Sequence, residues 1–381
     1  MLQPELEKFR FQPARRGVRT ARAQMETDAV GLLLGLGNPL LDISADVPTS
    51  VFESYAVTPG SAILAEDRHM PLYAELAENY KVQYIAGGAA QNTMRVAQWM
   101  IGQPGATSYF GCVGTDEFGD QLKRCATEDG VNVHYMEDPT TPTGVCAVLI
   151  DVSGERSLIA NLSAANKFSS SHLETVVAKD IIRRAQFYYL AGFFLTVSPE
   201  SVLQIARHAA EESKVLALNL AAPFVIENFY EQLHGAMPYV DFLFGNETEA
   251  SVFGERRGWG SHIPTIALKL AAEPKASGTR PRIVVITQGA GSTILAHEGK
   301  AHEFAVEPLP KQLLVDTNGA GDACVRNRAG TRRSLERKPS LFPRAQVCRW
   351  LLVAARAERA NCRVCSSRAL RGARCHTEVR L

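Results

Sequence analysis

The chain has 381 residues, 46% of them hydrophobic and 21% charged, with a formal net charge of +1. Such a composition excludes a disordered chain and a disulfide-stapled miniprotein, and no run approaches the roughly 20 apolar residues that span a bilayer. The small net charge hides a division, since residues 324–381 carry 15 Lys or Arg against three Glu; the remaining body is acidic and offers no electrostatic footprint for nucleic acid.

Residues 1–30 contain Lys8, Arg10, Arg15, Arg16, Arg19 and Arg22 without an apolar period. They are expected outside the fold, either as a weak targeting leader or as text before a start at Met25. From Gly31 the pattern alternates. An apolar run at Gly31–Leu36 predicts the first strand, residues 67–80 a helical stretch, and Met94, Val96, Ala97, Met100 and Ile101 one face of a helix that follows a Gly-Gly turn. Further strands are expected at 106–113, 145–150, 187–191, 214–220, 240–244 and 282–287, most of them separated by helix-length segments. This alternation predicts a mainly parallel sheet covered by helices on both faces, a three-layer α/β/α sandwich in one domain over 31–323. Segments at about 43–66 and 131–162 carry turn signals and period-two alternation, and are expected to form a small β lid. Pro and Gly at 273–281 predict a surface loop. Cys112, Cys125 and Cys146 are expected to be buried thiols, because a chain of this size without a secretory signal is a poor candidate for a disulfide framework.

Five segments carry chemistry. Asp316–Asp322 (Asp-Thr-Asn-Gly-Ala-Gly-Asp) follows the apolar run Leu313–Val315. Small residues ahead of a carboxylate let backbone amides approach an anion, and a helix opening there adds favourable potential; a tight turn with a helix N-cap explains the same residues. Ala86–Asn92 (Ala-Gly-Gly-Ala-Ala-Gln-Asn) brings bare backbone at Gly87 and Gly88 next to Asn92, which suits sugar hydroxyls or simply a βα turn. Gly37–Asp42 ends the first strand, where open α/β sheets bind ligands, and Asp42 there either accepts from vicinal hydroxyls or caps the next element. Phe244–Glu249 presents Asn246 and Glu249 after another strand. These oxygens suit Mg²⁺ with its waters, and their spacing equally makes a capping box. Arg156 is either solvated surface or a clamp on phosphate.

In this order, the segments resemble those of the ribokinase-like (PfkB) carbohydrate and nucleoside kinases. The likeness covers residues 31 to about 323. Within that family the runs Gly-Asn-Pro-Leu-Leu-Asp-Ile-Ser, Arg-Ser-Leu-Ile-Ala-Asn-Leu, Ala-Gly-Phe-Phe-Leu-Thr-Val-Ser-Pro-Glu-Ser and Phe-Gly-Asn-Glu-Thr-Glu-Ala are most similar to members that phosphorylate adenosine. The resemblance implies a ribokinase-like fold, ATP as co-substrate with Mg²⁺, and transfer of the γ-phosphate to the 5′-hydroxyl of adenosine. It implies Asp322 as catalytic base and the amides of Gly319, Ala320 and Gly321 as anion hole. Asp42, Gly87, Gly88 and Asn92 would hold the ribose. Asn38, Leu40, Leu64, Cys146, Leu158 and Phe193 would line the nucleoside pocket, Phe193 stacking on the base. Asn318 would lie between the two substrate sites, Arg156 would meet the phosphates, and Asn246 and Glu249 would organise Mg²⁺ through water. A monomer in the cytoplasm, with the nucleus also open to it, binding neither nucleic acid nor membrane, is the matching expectation.

Two departures stand out within the body: Ala62 and Ala89 replace a Gln and a Ser of the family, so altered nucleoside affinity is expected. The larger departure begins at Cys324, where the family's Phe-Val-Gly-Gly-Phe gives way to Cys-Val-Arg-Asn-Arg. Residues 324–381 read as Arg- and Cys-rich text of irregular period, expected to lie outside a native fold and to slow turnover. Cys362 and Cys365 form a lone Cys-x-x-Cys that would need two further ligands to hold zinc. Alternative readings are another sugar or nucleoside kinase of the family and a nucleoside-binding remnant without activity. A Rossmann dehydrogenase is disfavoured, because no Gly-x-Gly-x-x-Gly opens a helix after the first strand.

Overall fold

Leucine, valine and aromatic residues at every second position of the strands give both sheet faces an apolar coat, so the sheets must be sandwiched. A computed structural model describes residues 31–276, 280–306 and Asp322. In chain order its strands are β1 (Leu33–Leu36), β2 (Leu40–Asp46), β3 (Ala62–Leu64), β4 (Gln83–Gly87), β5 (Thr107–Gly114), β6 (Asn132–Asp138) and β7 (Val145–Ile150). They continue as β8 (Arg156–Asn161), β9 (Phe187–Ala191), β10 (Val215–Asn219), β11 (Phe242–Asn246), β12 (Ile283–Thr287), β13 (Thr293–His297) and β14 (Lys300–Phe304).

A nine-stranded sheet runs β14-β13-β12-β11-β10-β9-β1-β5-β6. Its strands are parallel from β12 to β6, and an antiparallel β12-β13-β14 meander closes one edge. Period two divides the core. Leu34, Leu36, Tyr188, Leu190, Leu216, Leu218, Leu243, Val284 and Ile286 face one way, against Ile181, Val202, Ile205, Phe253 and Ile266 from helices Val176–Arg184, Pro199–Glu211, Glu247–Arg256 and Ile263–Ala272. Leu33, Tyr109, Phe187, Tyr189, Ala217 and Phe244 face the other way, against Ala90, Met94 and Ala97 of helix Ala89–Ile101 and Ala126 of helix Glu117–Glu128. The expected α/β class with a mainly parallel sheet is therefore present.

The smaller sheet has the order β3-β8-β7-β2-β4. One face, with Ile43, Ala45, Ala147, Leu149 and Ile159, buries Val51 and Phe52 of helix Thr49–Ser54 and Leu72 and Leu76 of helix Met70–Asn79. The opposite face carries Leu40, Cys146 and Val148, flanked by Leu64, Leu158 and Ala160. Its membership differs from the expected lid in two respects. Residues 132–138 are the edge strand of the large sheet, paired in parallel with β5, and β4 belongs to the small sheet, antiparallel to β2. Of the expected buried thiols, Cys112 and Cys146 are buried while Cys125 is half-buried, and none of the three is in a disulfide. Residues 1–30 and 324–381, with their expected leader, tail and Cys-x-x-Cys, lie outside the described residues. Among the described residues no helix is long and apolar enough to cross a membrane.

Candidate active site

At the carboxyl ends of β9 to β12 the chain leaves the sheet in four places, and the residues there surround a pocket of about 150 Å³. It is lined by Ala191, Phe193, Asn219, Ala221, Asn246, Glu249, Thr287 and Asp322, among others. This is the edge where open α/β sheets place ligands, because successive connections diverge and leave a crevice.

Gly88 opens helix Ala89–Ile101 with φ +91°, and a Cβ there would stand 2.4 Å from the Asn38 carbonyl oxygen. Only glycine fits without displacing backbone. The turn places Asn92 in the first helical turn, where its Nδ2 donates to Asp322 Oδ2 at 3.1 Å. The neighbouring Thr93 Oγ1 donates to the Asp322 carbonyl oxygen at 3.2 Å and to Ala89 O at 3.0 Å. Asp322 is half-buried as a residue, but its carboxyl group is desolvated. Burial pushes its pKa from 3.8 up to about 6, and the Asn92 hydrogen bond pulls the other way.

Asn246 and Glu249 form a reciprocal capping box at the start of helix Glu247–Arg256. Asn246 N donates to Glu249 Oε2 at 3.0 Å, Asn246 Nδ2 to Oε1 at 2.9 Å, and Glu249 N returns to Asn246 Oδ1 at 2.8 Å. Burial raises the Glu249 carboxyl from 4.5 to about 7. Both carboxyl oxygens already accept protein hydrogen bonds, and among the described residues no three His, Cys, Asp or Glu cluster as a metal cage. The donor set suits a cation that retains its water shell, not one stripped and caged. The capping box of this segment is therefore present.

On the lid side, Asp42 is buried and shares the face of Leu40 and Cys146, next to Gly87, where a Cβ would fall 2.3 Å from Asp42 Oδ1. Asn38 Nδ2 donates to the Phe193 carbonyl at 3.3 Å, and among the described residues its buried Oδ1 has no hydrogen-bond partner. That oxygen keeps its capacity to accept.

The family described as "pfkB family carbohydrate kinase" matches residues 54–325. The chain belongs to that family. Among curated relatives it is 52% identical to "Adenosine kinase 1" of Arabidopsis thaliana, over 78% of this chain and 87% of that protein. It is 45% identical to "Adenosine kinase" of Dictyostelium discoideum, over 76% of this chain and 85% of that one. Among solved structures, Anopheles gambiae adenosine kinase in complex with P1,P4-di(adenosine-5) tetraphosphate superposes with TM-score 0.74 at 46% identity, over 77% of this chain and 87% of that chain.

In this pfkB-family chain the expected residues that are described fall mainly into two groups. Asn92, Phe193, Asn246, Glu249 and Asp322 meet at the pocket, as does Ala89. Leu40, Leu64, Cys146 and Leu158 form one apolar patch on one face of the small sheet, and Ala62 sits opposite Leu158 in the β3–β8 register. Arg156 stands apart: it begins β8, paired with Ile150 at the far end of the hairpin, and does not line the pocket around Asp322. Asn318, Gly319, Ala320 and Gly321 lie outside the described residues. The sequence reading missed Thr93, Asn219 and Ala221. Asn219 carried a legible signal, since it ends an apolar strand three residues before Ala222-Pro223. Its Oδ1 accepts from Ala221 N at 2.6 Å and holds Ala221 at φ +73°, an unusual conformation for alanine.

Proposed function

We propose that this chain is an adenosine kinase, moving the γ-phosphoryl group of ATP onto the 5′-hydroxyl of adenosine to give AMP and ADP. The observation that carries this reading is the hydrogen bond from Asn92 to Asp322, which joins the Gly-Gly turn to the C-terminal Gly-Ala-Gly-Asp motif across 230 residues. It puts a sugar-binding amide against a carboxylate whose pKa of about 6 leaves it ionised at neutral pH yet basic enough to take a hydroxyl proton. The adenosine kinase names of relatives up to 53% identical support the same substrate, as does Schistosoma mansoni adenosine kinase in complex with adenosine and AMP, at TM-score 0.72 and 35% identity.

In this reading Asp42, Gly87, Gly88 and Asn92 hold the ribose, and Asn38, Leu40, Leu64, Cys146, Leu158 and Phe193 enclose the base, whose flat face stacks on Phe193. The amides of Gly319, Ala320 and Gly321 receive charge from the transferring group, Asn318 separates the two substrates, and Arg156, outside the pocket around Asp322, is the cation proposed to meet the phosphates. Asn246 and Glu249 would hold Mg²⁺ through its waters; when bound, the ion neutralises phosphate charge. The enzyme acts as a cytoplasmic monomer, with residues 31–323 as its kinase domain. A panel of adenosine, guanosine, inosine, ribose and fructose with Mg²⁺-ATP tests the proposal: adenosine should give the highest kcat/KM, and a preference for free ribose would reject it. One further reading has an observation behind it. The family match ends at residue 325, just where the text departs from the family's pattern. Heat of adenosine binding with no AMP formed would favour a binding remnant.

A further inference from the structure

We infer that Gln91 is a positioning residue: the Tyr135 hydroxyl orients its side-chain amide so that it holds the Gly87 carbonyl and leaves the Gly88 N–H free for the ribose. The inference deepens the reading that the Gly-Gly turn binds ribose, and rests on it. Gln91 is 0% exposed, in the first turn of helix Ala89–Ile101. Its Nε2 donates to Gly87 O at 3.1 Å, and its Oε1 accepts from the hydroxyl of Tyr135 on β6. Arg95, one turn further along the helix, donates from Nη1 to Ala86 O at 3.0 Å and from Nε to Asp129 Oδ2 at 2.6 Å. The last two carbonyls of β4 are thus tied to the helix that follows them.

The direction of each bond is fixed by the groups at its ends. A carbonyl oxygen only accepts, so the amide must turn Nε2 to Gly87 and Oε1 to Tyr135, and the phenol must donate. Burial pushes that phenol above its usual range, which keeps it protonated. Its ring is seated edge-on against Tyr109, with centroids 6.1 Å apart and planes at 88°. A glutamine three residues after an N-cap commonly turns its oxygen back onto the N-cap N–H and closes a capping box. Here Tyr135 occupies that oxygen, and helix Ala89–Ile101 opens without one. The Gly87–Gly88 peptide is trans, which sets the Gly88 N–H opposite the carbonyl that Gln91 holds. That donor therefore points away from Gln91 and is left for a ligand.

Gly87–Gly88 is the sole Gly-Gly pair in the sequence, so full-length protein labelled with ¹³C′- and ¹⁵N-glycine gives one carbonyl-to-amide cross-peak, that of the Gly88 N–H. In the parent, adenosine should move its proton downfield as the ribose accepts from it. Tyr135→Phe releases the Gln91 oxygen, and the amide and the pliant Gly-Gly peptide can turn over together to close the capping box. The free-state peak should then already lie downfield, and adenosine should move it less. Kd for adenosine by calorimetry should rise about tenfold, the worth of one hydrogen bond. KM should follow it while kcat stays within about twofold, since the Asn92–Asp322 bond is untouched. Gln91→Glu, whose carboxylate can only accept, should produce both effects more strongly. Gln91→Met removes donor and acceptor alike and should weaken adenosine without the downfield shift, which separates a turned amide from a loosened turn. A free-state peak that Tyr135→Phe and Gln91→Glu leave in place, or shift no more than Gln91→Met does, would overturn the inference, as would an unchanged Kd. A parent peak indifferent to adenosine would reject the ribose reading, and the ribose half of the inference with it; the variants' effect on the free-state peak scores the Tyr135–Gln91 orientation separately.

Discussion

Glu249→Gln tests the electrostatics of the pocket through stability. The Glu249 side chain is almost fully enclosed, at 4% exposure, and the folded protein raises its pKa from 4.5 to about 7. That separation corresponds to roughly 3 kcal/mol of preference for the protonated form. The folded state binds this proton more tightly than the unfolded chain, so the contribution is intact below pH 4.5 and is lost as pH rises through 7. Glutamine is a neutral isostere that still accepts from Asn246 N. Thermal unfolding of both proteins between pH 5 and 8 should therefore show curves that draw together at the acid end. At pH 8 the variant should be more stable by several degrees, taking roughly 2–4 °C per kcal/mol for a domain of this size. Mg²⁺ at pH 8 should narrow the gap, because a cation beside the carboxylate favours its ionised form. A gap that stays constant with pH would refute the reasoning, since the cost would then be steric and not a matter of charge.

Asn92→Ala removes the hydrogen bond that opposes burial at Asp322, so the acid limb of kcat should rise above about 6, read from initial rates across pH. Gly88→Ala forces a Cβ onto backbone at φ +91° and should cost roughly 2 kcal/mol or more in denaturant unfolding while raising KM for adenosine. Arg282→Met should cost at least about 3 kcal/mol, because the guanidinium, 1% exposed, serves the carbonyls of Val240, Leu270, Glu273, Met237 and Pro274. Arg282 stands at the opposite end of β12 from the pocket, so the KM of the folded fraction should not change.

Sequence patterns carried the large sheet well, because a strand buried on both faces writes a continuous apolar run. Phe187–Ala191 falls where the pattern put it, and Val215–Asn219 does so to within a residue at each end. The lid was harder to read. Residues 132–138 alternate like a half-covered strand wherever they pair, and their parallel register with β5 is a long-range choice that local pattern does not encode. Similarly, the antiparallel pairing of Gln83–Gly87 with β2 is a long-range choice that local pattern does not encode. At the site, residues in small-residue or amide-rich motifs were legible: Gly88, Asn92, Asn246 and Glu249 each sit at a strand–helix junction with a recognisable spacing. Thr93 was not, since a threonine in a helix looks like core.

The most direct measurement is AMP formation from adenosine and Mg²⁺-ATP by the full chain and by Asp322→Asn, with adenosine affinity followed in parallel by calorimetry. Removing the base while preserving the amide-sized side chain should abolish at least about 99% of kcat, in line with the 10²–10⁴-fold worth of a positioned general base, and leave adenosine binding within a few fold. AMP formation by the variant at the rate of the parent would contradict the account.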